Sequence, residues 1–408
     1  LSNAEKTSLN RLIDAVLETW EVDGHAALSA RKVSLLAGAP VSSIYHHFGS
    51  LEHLFSRTQQ AALERARCWC DAQLHLVSMV GGDMAAFPGF FATVVDEWAN
   101  SQRQLAFAWR EGQLLGARSV AQRQVSEGWT ALWADFWQAA GEQFGLGSKR
   151  IVVERVFENE SLLHMLRWER MLDRAGLDEF SRGLAAWLTG SKMPPAPWRE
   201  AARSEAQRTM PELPQRDGTA VAVMEAATLV LEQQGVAGLT HRAVAAQAGL
   251  TLGVVLHKFR TKSELLAAAF EGVYLSNLGR AARETEAAQA SGGDLSMLDL
   301  LARGIHRSVG KVGMEELTLA AARDPALQQF ASQMRYLRGR SARGALEQIA
   351  GGKRRIGHLE AALFSSFASA QIRVHTGADH ELAQRSIREE LEVVSACVRN
   401  VESAEEDG

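Results

Sequence analysis

The chain has 408 residues and a formal net charge of −4, which argues neither for nor against nucleic-acid binding. Its length allows two or three domains, each able to bury its own core. Three cysteines cannot all pair, no apolar run nears the ~20 residues of a membrane span, and no signal-peptide core opens the chain, so a reducing cytoplasmic setting is expected.

Helix-forming Ala, Leu, Arg, Glu and Gln dominate, and the 8 prolines are few and clustered, so the expected fold is all-α. Leu9, Leu12, Ile13, Val16, Leu17 and Trp20 recur at three- and four-residue steps, predicting an amphipathic first helix that stops near Gly24. Ser29 suits the N-cap of a short second helix carrying Val33 and Leu36 inward. Ala37-Gly38 makes a tight turn, because glycine tolerates the left-handed backbone a sharp helix end demands. A third helix starts near Pro40, with Ala39, Ile44 and Phe48 toward the core and Val41, Ser42, Tyr45 and His46 outward. A long fourth helix covers about 50–78 before Gly81-Gly82-Asp83, and further helices are expected at about 86–99, 101–115, 119–143, 149–174 and 177–190.

Pro194, Pro195, Pro197, Pro211 and Pro214 then punctuate a linker at 193–215, with a short helix at about 198–209. Beyond it the same order repeats. Val221, Met224, Ala227, Val230 and Leu231 form a first stripe that stops at Gly235, followed by Thr240, the turn Ala248-Gly249 and core positions Leu250, Val255 and Phe259. Leu252, Gly253, Leu256 and His257 face outward. Helices are expected at about 262–290, 295–310, 313–322, 325–350, 354–376 and 379–401. Gly24 and Gly235, like Phe48 and Phe259, stand 211 residues apart with no gap between them. So long a period describes a duplicated domain rather than a solenoid. The expected domains are 1–192 (motif about 9–55, body about 56–192) and 216–408 (motif about 216–266, body about 267–402).

A small-residue turn seen once also fits a plain helical hairpin; seen twice at equivalent places it favours a helix-turn-helix that reads DNA. The string Ala37-Gly38 through Ile44-Tyr45-His46-His47-Phe48, preceded by Leu28-Ser29, Arg31 and Val33, resembles the DNA-binding domain of TetR-family transcriptional regulators. The second copy resembles it too, and adds Lys262-Ser263-Glu264-Leu265-Leu266 at the start of helix four. The resemblance covers about fifty residues in each half; outside them only Arg323-Asp324-Pro325-Ala326-Leu327 is similar. It implies a subunit with three helices for DNA, six for ligand binding and pairing through the last two. It also implies repression relieved by a small molecule.

Outward placement and the resemblance together give candidate DNA contacts: Ser29, Arg31, Pro40, Val41, Ser42, Ser43, Tyr45 and His46, then Thr240, Arg242, Thr251, Leu252, Gly253, His257, Lys258 and Lys262. Ser29 and Thr240 fit plain capping equally well, or a helix N-terminus that offers amides to phosphate. The resemblance further implies a lysine in the first turn of the recognition helix, where this chain has Val41 and Leu252. It implies phosphate contacts from a tyrosine, kept as Tyr45 and lost at Leu256, and from a lysine, kept as Lys262 and lost at Leu51. The two copies thus depart differently, which predicts an imperfect palindrome as operator. If one copy has stopped binding DNA, the second is the expected loser. Charge is no help: residues 1–55 carry Lys6, Arg11, Arg31 and Lys32 against six acids, and residues 212–266 carry five of each sign.

All ten tryptophans lie between Trp20 and Trp198. Trp98, Phe107, Trp109, Arg110, Trp129, Trp133, Trp137, His164 and Trp168 are the candidate effector-binding residues, suited to a small flat apolar or aromatic molecule. Trp129, Trp133 and Trp137 share one helix face, and such a stripe is also ordinary core packing. Val152, Val156, Leu163, Leu166, Leu184, Trp187 and Leu188 are expected to meet Leu359, Leu363, Phe367, Ile372, Leu391, Val394 and Val398 in a four-helix seam. The linker would make that pairing intramolecular, giving a monomeric pseudo-dimer, with a dimer of tandem chains as the alternative. No catalytic residue, cofactor or metal is expected. His46, His47, His53, Cys68 and Cys70 lack metal-ligand spacing, and no nucleophile motif or phosphate-cradling glycine loop occurs. The rival reading is a helical ligand-binding or interaction protein whose heads no longer bind DNA.

Overall fold

The computed structural model describes residues 3–118, 123–209, 216–273, 296–309, 311–324, 327, 330–339, 342–352 and 354–402, with side chains from residue 8 onward. Every regular element among them is a helix, so the fold is all-α. The chain divides into two compact units, Leu1–Arg150 and Ile151–Gly408. That packing boundary does not coincide with the linker expected at 193–215.

The first unit contains α1 (Asn3–Val22), α2 (Ala30–Ala37), α3 (Val41–Phe48), α4 (Leu51–Met79), α5 (Phe87–Asn100), α6 (Arg103–Arg118) and α7 (Arg123–Gln143). The apolar stripe of α1 is fully buried at Leu12, Val16, Leu17 and Trp20, packed against α2, α4 and α6. Helix α4 continues out of the head and packs along α6 and α7, which links the first three helices to the body.

The second unit begins with α8 (Arg150–Leu163) and α9 (Arg170–Thr189), which lie before the expected linker and so within the expected first domain. The linker helix α10 (Pro197–Arg208) follows, then α11 (Gly218–Gly238, kinked at Gly235), α12 (His241–Ala248), α13 (Leu252–Lys258) and α14 (262–273). The body is completed by α15 (Met297–His306), α16 (Gly313–Arg323), α17 (Ala331–Tyr336), α18 (Arg343–Ile349), α19 (His358–Val374) and α20 (His380–Asn400). The expected continuation of α14 to 290 and the Gly292-Gly293-Asp294 stop lie outside the described residues.

Helices α8 and α9 join this unit because their partners are here. Helix α9 packs on α19 and α20, and every residue of α8 from Val152 to Leu163 is buried, charged ones included. Those charges are matched across the seam. Arg155 forks onto Glu390 with two bonds of 2.8 Å and also holds Glu154; Arg373 grips Glu158, with Nε at 2.9 Å; Asn159 donates to Ser366. Trp187 donates its indole N–H to Glu360. The expected seam residues are buried, apart from half-buried Ile372, yet the seam is also strongly ionic, which apolar periodicity could not reveal.

The linker is not a loose spacer. Ala202 and Ala206 of α10 are buried with Tyr336 and Leu337, and Trp168 and Leu172 pack beside them. Glu179 accepts the amides of Trp198 and Arg199 at the start of α10, supplying the acceptor that helix N-termini lack.

Two expected helices are interrupted. The span 149–174 breaks after Leu163, where the amides of Met165 and Leu166 donate to carbonyls only three residues back and the carbonyl of Leu166 accepts from Arg335 instead of continuing a helix. The span 325–350 splits into α17 and α18 around Gly339, where an added Cβ would sit 2.3 Å from the Ala361 carbonyl oxygen. The backbone of α19 occupies the space a helical side chain would need.

Candidate nucleic-acid interface

The first head is built as its sequence suggests. Ser29 accepts the amide of Lys32 and caps α2, while Gly38 adopts the left-handed conformation (φ 57°, ψ 37°) that ends it. Pro40, extended at φ −64°, leads into α3. Ile44 is fully buried and Phe48 nearly so; Val41, Ser42, Tyr45 and His46 are exposed and Ser43 is half-buried. One inward residue differs. Leu36 is 42 % exposed and the buried pair on α2 is Val33 with Ala37.

The second head repeats this geometry. Thr240 accepts from Ala243, Gly249 turns at φ 65°, and Thr251 caps α13 by accepting from Val254. Val255 and Phe259 are buried, with Leu250 half-buried; Leu252, Gly253, Leu256 and His257 are exposed. Arg31, Arg242 and Lys262 are exposed at the positions expected of phosphate contacts. Ser50 and Thr261, also 211 apart, cap α4 and α14 in the same way, accepting from His53 and Glu264. The capping is therefore shown at Ser29 and Thr240, which is one of the two readings their sequence positions allow.

Several cations are engaged inside the heads. Lys258 donates to Asp217, holding that carboxyl below its ordinary range, and Lys32 pairs with Asp23 at 2.5 Å. Arg216 binds Glu271 at 2.7 Å while lying 5.0 Å from the centre of the Phe259 ring. Each head is also tied to its own body by one device that sequence reading missed. In the first unit the backbone N–H of His25 donates to Glu111 on α6 at 3.3 Å. In the second, the N–H of Val236 donates to Glu316 on α16. His25 and Val236 are equivalent positions, each after a glycine of positive φ (Gly24, 79°; Gly235, 72°). Only the 211-residue spacing hinted at the pairing, and neither glutamate belongs to a motif.

The effector candidates fall into two surroundings. Trp98, Phe107, Trp109, Arg110, Trp129, Trp133 and Trp137 are all buried in the first unit. Their rings pack on one another: Trp98 meets Trp133 edge-on at 4.8 Å, Trp109 lies 5.0 Å from Trp133, and Arg110 sits 3.8 Å from the Trp109 ring centre. Gln59 accepts from Trp129 and donates to the Ala108 carbonyl, joining α4, α6 and α7. His164 and Trp168 belong to the second unit. Trp168 packs 5.6 Å from Tyr336, whose hydroxyl donates to Asp173. His164 bonds the Glu160 carbonyl through Nδ1, and burial, then Arg335, holds it well below its ordinary pKa.

Cys68 is exposed and Cys70 buried, the latter with its thiol pushed up by burial. Among the described residues no three His, Cys, Asp or Glu side chains converge to hold a metal, and no helix is long and apolar enough to cross a membrane.

Residues 223–269, from the middle of α11 into α14, match the family model described as bacterial regulatory proteins, tetR family. The match falls on the second head and includes its whole recognition helix. Comparison with curated proteins finds no match. The segment is thus a helix-turn-helix DNA-binding domain of that family, and transcription regulation through DNA is the activity it brings to the chain.

Proposed function

We propose that this chain is a tandem regulator that reads DNA with both heads, α3 and α13 lying in the major groove of an imperfect palindrome. The observation that carries the reading is α13, exposed, capped and set at its turn by left-handed Gly249, within the segment that matches the family model. The first head supports it by reproducing the cap at Ser29, the left-handed turn at Gly38 and the buried positions Val33, Ile44 and Phe48 at a spacing of 211 residues. Helix-turn-helix units ordinarily reach two half-sites by dimerising. Here α8 and α9 pack on α19 and α20 through apolar and ionic contacts, which supports a monomeric pseudo-dimer in which the second subunit is covalently supplied.

The regulator is cytoplasmic and acts as a repressor. A small apolar or aromatic effector releases it by entering the tryptophan-rich body of the first unit, parting rings that now touch each other. Selection of bound fragments from random duplexes, followed by mobility shifts over a salt series, tests the reading. Affinity should fall linearly with salt on logarithmic axes, in proportion to the phosphates neutralised. Ser42→Ala and His46→Ala should alter sequence preference, whereas loss of Arg31 should weaken all sequences alike.

The engaged state of Lys258, Lys32 and Arg216 favours a second reading, in which the heads are structural and the protein binds a ligand or a partner instead. Absence of any salt-sensitive shift would establish it over the first.

A further inference from the structure

Both recognition helices expose an apolar pair at the same two positions. On α3 these are Val41 (38 % exposed) and Tyr45 (53 %); on α13 they are Leu252 (40 %) and Leu256 (41 %). Residues four apart share a helix face. The packing of each helix into its head is supplied elsewhere, by Ile44 and Phe48 or by Val255. The pairs are therefore free of any core duty, and each is followed by one exposed histidine, His46 or His257.

What the helices lack is as informative. Neither contains Arg, Asn, Gln, Asp or Glu. Those are the side chains that bind guanine or adenine through paired hydrogen bonds or accept from cytosine in the major groove. The single lysine, Lys258, donates to Asp217. Leaving large apolar groups in water gains nothing, and the major groove offers one apolar base feature, the C5 methyl of thymine.

We propose that each head selects its half-site by packing these pairs on thymine methyl groups: Val41 and the Tyr45 ring in the first, Leu252 and Leu256 in the second. The inference rests on the DNA-reading function above and adds the base that it selects. Preferred half-sites are then rich in thymine beneath these four positions, and the two heads differ in how much methyl surface each covers.

The test uses the full chain and duplexes it has itself selected, resynthesised with deoxyuridine for thymidine one position at a time. Uracil keeps every hydrogen-bonding group of thymine and loses only the methyl. Affinity should fall about three- to fourfold for each contacted methyl, the transfer value of one such group. In Val41→Ala/Tyr45→Ala the uridine effect should vanish at one half-site, and in Leu252→Ala/Leu256→Ala at the other. Circular dichroism checks that these exposed changes leave the helices intact. Equal affinity for thymidine and deoxyuridine duplexes would overturn methyl reading and leave DNA binding standing. A uridine effect that survives both double variants would overturn it too, by assigning the loss to the stiffness of the DNA. Failure to retain any duplex at low salt would sink the DNA-reading function itself.

Discussion

The two heads agree at the glycine turns, the caps of their short helices and the central core positions, and differ most where side chains face solvent. Gly24 and Gly235, Gly38 and Gly249 share positive φ; Ser29 and Thr240, Ser50 and Thr261 cap the same helix starts; and a body glutamate receives the same backbone N–H in each. By contrast Tyr45 faces Leu256, Leu51 faces Lys262, and Pro40 faces Thr251 across the repeat. A left-handed turn, a free amide or a filled core position leaves few residue choices, while an outward position answers only to what docks there. The frame of the motif is thus common to both, and the outward surface is not.

The largest test of that common frame is the core. Ile44 and Val255 are both fully buried at equivalent positions. Ile44→Ala should cost about 3 kcal/mol and Val255→Ala about 2 kcal/mol, from lost transfer energy plus the cavity left behind. Denaturant midpoints of the full chain measure both, and a silent Val255→Ala would mean the second head is not packed as a head.

Removing the body tethers comes next. Glu111→Ala and Glu316→Ala each delete a charged acceptor from a partly buried amide, worth about 1.5–3 kcal/mol. Comparable losses in the two variants would show that the tether is equivalent in the two units. A loss confined to one would break the comparison there.

The differing surfaces should appear in binding rather than stability. Tyr45→Phe keeps the ring and removes the hydroxyl, so affinity for most sequences should drop about two- to tenfold, the worth of one hydrogen bond. Leu256→Tyr should gain by a similar factor in the second head, and no change in either would remove the hydroxyl from the phosphate contacts.

The smallest effect is a pH slope. Burial holds His25 below its ordinary 6.5, opposed by the Glu111 carboxylate. The folded first unit therefore keeps His25 neutral where the unfolded chain already binds a proton. Its contribution is fully present above about pH 6.5 and is lost as the pH falls toward the depressed value. The second head has Val236 at this place, so His25→Val should flatten that part of the stability profile. An unchanged slope would place the titration elsewhere.

Much of the heads was legible before any coordinates. Caps, the glycine turns and the outward face of each recognition helix follow from residue type at short spacing, and they stand where expected. Leu36 was misplaced because a three-residue and a four-residue step from Val33 look alike in a stripe; only packing chose Ala37. The tryptophan stripe marked buried rings correctly as one of its two readings, but ring-on-ring contact is invisible to periodicity. The breaks after Leu163 and at Gly339 depend on Arg335 and on the Ala361 carbonyl, neither of them a neighbour in sequence.

Sequence alone pointed to an all-α fold and to two helix-turn-helix segments 211 residues apart, because dihedral preference, capping and amphipathic spacing act over a few residues. Only the tertiary structure decided that the chain divides at residue 150, that the seam of α8 and α9 with α19 and α20 is ionic as well as apolar, and that the linker helix is packed on its neighbours. Those outcomes turn on buried ions such as Arg155 and Glu390 finding each other 235 residues apart. A buried charge is stable only beside its partner, and the identity of that partner is a property of the folded chain.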